Sequence, residues 1–329
     1  MPGEVGRGGR PGRIRVFREP GGRRRLGWRL VLYVGLATVL AGVGRALLPG
    51  GLAGGSAAVL VAAWLAGAIL LATDGRAPGA LGLYLARPAR REAVCGVALG
   101  VGLAGGVGLI LLLGGAVRFG AEGGTLAAWA KVGAGSLALL ALPAAAEEVL
   151  VRGYPLQAMA EVWGAGVALV VTSVGFGALH LPNPGASWIG VANTAAAGLL
   201  LGALVLRTGS LWWATGAHLG WNWALGFLLD LPVSGLDVVD APLLRASTRG
   251  PEWWSGGAFG PEGSVAAAAV LLAAAAVVWA GPWPRASGAA RAAGSLAADA
   301  LRMGRARPVE GEKGDEHSRP EGREREERP

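Results

Sequence analysis

Residues 138–152 read Ala-Leu-Leu-Ala-Leu-Pro-Ala-Ala-Ala-Glu-Glu-Val-Leu-Val-Arg, an apolar run closed by two adjacent carboxylates and, four residues after the second, an arginine. Carboxylates at the depth of a bilayer are costly, so where they occur they point to a working site. The rest of the chain supplies the bilayer. Of its 329 residues 53% are hydrophobic and 16% charged, and long stretches carry no charge at all. Apolar runs fall at about 27–48, 56–72, 93–117, 125–150, 164–181, 188–206, 211–229 and 264–280. A crossing of a ~30 Å hydrocarbon core takes roughly 20 apolar residues at ~1.5 Å each. The pattern predicts an all-α, polytopic membrane helix bundle of about eight transmembrane helices.

The organisation follows from where the runs stop. Residues 1–26 form an Arg-, Gly- and Pro-rich arm and residues 282–329 an Arg-, Glu- and Pro-rich tail, and both compositions predict disorder. Between them lie three helices over 27–117, a motif-bearing core over 118–230, a loop over 231–263 and a last helix over 264–281. A cleaved leader would have a shorter apolar core, so the first run is read as a retained span, with Arg29 and Arg45 reaching toward its two interfaces. Trp212 and Trp213 read as interface anchors. Gly96 and Gly100, and Gly198 and Gly202, have the four-residue spacing that lets helices approach closely. The net charge of +8 sits on the flanks of apolar runs, which speaks for topology and contact with lipid, with no nucleic-acid partner. The loops holding Arg76, Arg87, Arg90 and Arg91, then Arg152, then Arg207 would all share the side of the basic N-terminus. By the positive-inside rule both termini of this multi-pass cell (plasma) membrane protein are then cytoplasmic. Cys95 is the one cysteine and forms no internal disulfide.

The chemistry-bearing residues come in pairs four apart. Glu148 and Arg152 share a helix face and can pair, while Glu147, turned by about 100°, points elsewhere. Phe176 and His180 share a face, and so do His218 and Asn222. The remaining histidine, His317, lies in the tail and reads as a solvated bystander. One carboxylate, two imidazoles and an amide, if they converge, supply a base, an orienting partner and donors to an oxyanion, the parts that amide hydrolysis needs. One carboxylate and two imidazoles are also plausible zinc ligands, so Glu147, His180 and His218 are the set a metal would use.

In order and separation, Glu147-Glu148-x-x-x-Arg152, Phe176-x-x-x-His180 and His218-x-x-x-Asn222 resemble the motifs of the CPBP intramembrane protease family, the type II CAAX-prenyl endopeptidase and bacteriocin-processing group. The context agrees: Gly153 follows Arg152, and Arg207-Thr-Gly-Ser-Leu-Trp-Trp precedes His218. The resemblance covers about 125–229. It implies an intramembrane endopeptidase acting on a membrane-anchored protein or peptide. Glu147 and His180 would activate water, His218 and Asn222 would stabilise the oxyanion, and Glu148 and Arg152, with Phe176, would support the site. The zincin pattern His-Glu-x-x-His is absent, which favours a metal-free glutamic mechanism and no cofactor.

Other readings explain less. Gly185-Ala186-Ser187 ahead of His218 suggests a rhomboid-like serine protease, yet Trp188 follows and the glutamates are left without a task. Every aspartate lies in a loop, against an aspartyl protease. A scaffold, immunity or transport protein could use the same polar groups for binding, but a proton relay needs no amide such as Asn222. One difficulty remains within the favoured reading: the runs put Glu147 near one end of its span and His180 near the opposite end of the next.

Overall fold

The computed structural model describes residues 23–294 together with Phe17. The expectations of a disordered arm before Arg23 and a disordered tail beyond Gly294, with His317, lie outside the described residues. Eight helical rods follow the eight apolar runs: α1 (Leu26–Leu47), α2 (Gly51–Thr73), α3 (Arg87–Leu113), α4 (Leu126–Glu148) continuing into α5 (Tyr154–Trp163), α6 (Ala165–Leu179), α7 (Trp188–Thr208), α8 (Leu211–Trp223) and, after a four-residue α9 (Glu252–Ser255), α10 (Val265–Ala280). Five of these, α1, α2, α3, the joined α4–α5 and α7, are long and apolar enough to cross a membrane, while α6 and α10 are apolar but shorter. The fold is that of a membrane-embedded helical bundle.

Local chemistry sets the ends. Thr125, Ser187, Ser210 and Ser264 each accept a backbone N–H with their hydroxyl, capping α4, α7, α8 and α10. Gly209 ends α7 in the left-handed conformation, φ +67°, which a side chain would disfavour. Between α8 and α10, the segment expected to be a loop has its own structure. Its strand β2 (Leu244–Thr248) pairs antiparallel with β1 (Val117–Ala121), with Val117 opposite Thr248.

The closest helix contact is between α3 and α8. A methyl group built on Gly96 would lie 2.5 Å from the Trp213 carbonyl oxygen, and one on Gly100 would lie 2.0 Å from that of Ala217. From the other side, methyls on Gly216 and Gly220 would meet the carbonyls of Ala93 and Val97 at 2.3 and 2.2 Å. Backbone lies directly on backbone there, as small residues permit. The second glycine pair also packs at an interface, Gly198 against Ser173 and Gly202 against Leu169 of α6.

Several expectations from composition give way. Arg152 is not in a loop: it is fully buried, inside a helix that runs from Leu126 to Trp163. Hydropathy reads an arginine as a helix end, whereas this one is neutralised in place. Arg29 is likewise held inside the protein. It is 3% exposed, donates to the Tyr154 hydroxyl at 2.8 Å and pairs with Glu161 at 3.1 Å. Arg23 donates to the same Glu161 and to Asp74, and these partners raise its guanidinium pKa further above its ordinary value. Trp213 is buried against Trp283, and the indole N–H of Trp212 bonds to the Tyr84 carbonyl, so neither is a free anchor. The described residues after α10, up to Gly294, have structure of their own. It carries α11 (Gly288–Ala292), whose cap Ser287 lies 3.1 Å from the Tyr84 hydroxyl. That tyrosine, pushed up to about 12 by burial and by its bond to Glu92, remains an O–H donor.

The depth difficulty resolves at Gly164, the turn between α5 and α6. Helix α4 does not stop at Pro155 but passes through a π-helical turn, Val149–Gly153, into α5. Such a turn already breaks the regular bonding ladder, so a proline just after it removes little. Glu147 therefore lies seventeen residues before Gly164 and His180 sixteen after it, each about 25 Å along its helix. Two antiparallel helices leaving one turn carry them to the same level.

Candidate active site

The site assembles at that level from α4, α6 and α8. Glu148 and Arg152, one helical turn apart and fully buried, form an ion pair of 2.9 Å. The same carboxylate oxygen of Glu148 lies 3.0 Å from Nδ1 of His218. A carboxylate accepts, so Nδ1 of His218 donates and its Nε2 is turned toward the cavity. His180 is fixed in the same sense: Nδ1 donates to the Phe176 carbonyl at 2.9 Å, leaving Nε2 free. Both free nitrogens face Glu147, whose Oε2 stands 3.8 Å from Nε2 of His180 and 3.8 Å from Nε2 of His218.

Phe176 is the packing hub. Its ring meets those of His180 and His218 edge-on, with centroids 4.9 and 5.9 Å apart, and the Arg152 guanidinium lies 4.0 Å from its centre. The cation–π contact matters because Nε and Nη2 of Arg152 have no hydrogen-bond partner. Asn222 lines the same cavity as Phe176, His180 and His218. The structure thus brings together all seven residues singled out from the sequence.

The surroundings of the two glutamates differ. Glu148 has a cation and an imidazole N–H on its Oε1, though its Oε2 has no hydrogen-bond partner. Glu147 has neither: its Oε2 is buried without a hydrogen-bond partner, although the side chain as a whole is 36% exposed. Buried polar atoms are nearly always paired, so one left open toward two imidazole nitrogens marks a place for an exchangeable proton donor. A water placed there can donate to Glu147 and to Nε2 of His180.

Whether the same three could hold zinc is a question of spacing. Donors on one tetrahedral zinc at ~2.0–2.1 Å lie about 3.4 Å apart. Both glutamate–histidine separations are wider, and among the described residues no three His, Cys, Asp or Glu are arranged to hold a metal ion. As they stand, these residues do not fit the metal.

Two groups escaped the sequence reading. Tyr33 of α1, 1% exposed, directs its hydroxyl to the carbonyls of Val149 and Leu150 at 3.2 and 3.1 Å, inside the π-turn that follows the glutamates. Glu262, from the segment before α10, lines the cavity beside Ser234. A tyrosine in an apolar run and a glutamate in a polar one carry no periodic signal, so only contact reveals them.

Paired carboxylates, two oriented histidines and an amide at one level of a helical bundle are groups that amide hydrolysis could use. Residues 129–224 match the family described as Rce1-like, type II CAAX prenyl endopeptidase. No curated protein and no solved structure matches the chain.

Proposed function

We propose that this protein is an intramembrane endopeptidase that hydrolyses a peptide bond of a membrane-anchored protein or peptide. The observation that carries the reading is the unpartnered, buried oxygen of Glu147, 3.8 Å from the free nitrogen of each of two histidines. Glu147 takes a proton from a water that His180 orients, and that water attacks the scissile carbonyl carbon. The oxyanion is met by Nε2–H of His218, whose imidazolium form Glu148 stabilises through Nδ1, and by the Asn222 amide. Glu147 then returns its proton to the leaving amine as the tetrahedral intermediate collapses. Arg152 compensates the charge of Glu148 and Phe176 sets the histidine rings. No step passes through a metal.

Substrate reaches the site from the bilayer, and the end that carries Arg23, Asp74 and Glu161 is cytoplasmic, with both termini of this plasma-membrane protein on that side. The family's name suggests the first probe: a farnesylated peptide with fluorophore and quencher flanking its C-terminal tripeptide, presented in vesicles with the purified protein. Turnover by wild type and its loss in Glu147→Gln, with no effect of a zinc chelator, is the expected result. If Glu147→Ala, His180→Ala and His218→Ala all leave cleavage intact, the protease reading is wrong; inhibition by the chelator defeats the metal-free mechanism. Should the probe not be cut, comparing the membrane proteomes of cells with wild-type and Glu147→Ala protein extends the test to native substrates. An unchanged profile would favour a binding role, with the same polar cluster holding a peptide.

A further inference from the structure

Glu262 is a buried carboxylate, 8% exposed, that the proposed chemistry leaves without a part. It belongs to a segment outside the residues that match the family, yet it reaches the cavity of His180, His218 and Asn222. Its bonds run to two sides. Oε1 accepts the indole N–H of Trp221 at 3.0 Å, and Trp221 directly precedes Asn222. Oε2 accepts both the backbone N–H and, at 2.9 Å, the hydroxyl of Ser234. Ser234 is tied in turn to the other half of the site, since Asn183, three residues beyond His180, donates to its carbonyl at 3.0 Å. Glu262 is itself held by Asn193 of α7, whose amide donates to the carbonyls of Glu262 and Ser264 at 2.7 and 2.8 Å.

Two further features show that this bracing is imposed. Ser234 has φ +48°, a left-handed conformation that a non-glycine residue keeps only where its surroundings enforce it. Helix α8 gives way to a π-turn, Ala224–Leu228, directly after Trp223, so its regular bonding ladder ends one residue past Asn222.

We infer that Glu262 is a positioning residue: through Trp221 on one side and Ser234 and Asn183 on the other, it holds Asn222 and the turn after His180 at a fixed separation across the cavity. The inference rests on the hydrolytic reading for its kinetic consequence but not for its structural one, so two measurements separate them.

The first uses the farnesylated quenched peptide and the full-length protein in vesicles. Glu262→Gln is expected to lower kcat by about a hundredfold, the scale of an ångström misplacement, with KM within about twofold. Trp221→Phe should do the same, and the double variant should be no worse than either alone. Wild-type kcat in Glu262→Gln, or losses that multiply in the double variant, overturns the inference. The second is hydrogen–deuterium exchange over residues 230–240 in wild type and Trp221→Phe beside Glu262→Ala. Without the carboxylate the Ser234 amide should exchange about tenfold faster, as for one lost hydrogen bond. Equal rates in wild type and Glu262→Ala overturn it. If wild type does not cut the peptide, it is the protease reading that falls, while the exchange rates still decide whether Glu262 holds the segment.

Discussion

Two of the three helices that supply the site, α4 and α8, are built alike and finished differently. Each carries its pair and then relaxes into a π-turn: Val149–Gly153 after Glu147 and Glu148, Ala224–Leu228 after His218 and Asn222. The first turn lies in the middle of a helix that continues to Trp163, and its loosened carbonyls are taken by Tyr33. The second ends its helix and leads to Asp230, again with positive φ, and into the segment held by Glu262. The first turn's carbonyls are met by Tyr33, and the residues on either side of the second are held by Glu262, both from parts of the chain beyond residues 129–224. The reactive groups and their braces thus occupy different parts of the sequence.

Substitutions can break that comparison at either junction. The largest effect is expected at the first, where Glu147→Gln should reduce kcat about a thousandfold through loss of the base, in a protein that still folds. Retained turnover would remove Glu147 from the reaction. Its neighbour should behave otherwise. Glu148→Gln leaves Arg152 buried without its counter-charge and should cost about 3 kcal/mol of stability, read as a lower denaturation midpoint in detergent along with weaker expression. At the second junction, Asn222→Ala should lower kcat about a hundredfold with little change in midpoint, as for one oxyanion donor. A loss of stability without a loss of rate would instead make Asn222 structural. Between the junctions, Gly100→Ala drives a methyl into the Ala217 carbonyl and should destabilise by about 2 kcal/mol, seen as a lower midpoint. The smallest effect sharpens the contrast: Tyr33→Phe keeps the ring stacked on Tyr154 but removes the hydroxyl, and should cost about 1 kcal/mol in unfolding measurements. An unchanged midpoint would mean that the first π-turn needs no brace.

Much of this was legible in the sequence because two physical signals are local. Apolar runs marked every major helix, and four-residue spacing put Glu148 with Arg152, Phe176 with His180 and His218 with Asn222. What failed was non-local. A charge reads as an interface unless its partner is known, so Arg152 looked like a loop residue and Arg29 like a snorkelling one, while both are buried against carboxylates or a tyrosine. Depth was misjudged for the same reason: the run ending at Leu150 seemed to close a span that in fact continues to Trp163. The segment over 231–263 was legible only as a loop, and nothing in its composition says that Ser234 and Glu262 turn inward.

The glycine seam between α3 and α8 has a mechanical consequence. With two backbones in direct contact at Gly96, Gly100, Gly216 and Gly220, there is no side-chain cushion to compress or repack, and the pair behaves as one stiff plank. His218 and Asn222 ride on that plank. Any breathing that admits a bulky chain and lets its fragments leave must therefore come from other parts of the bundle, while the oxyanion side stays still.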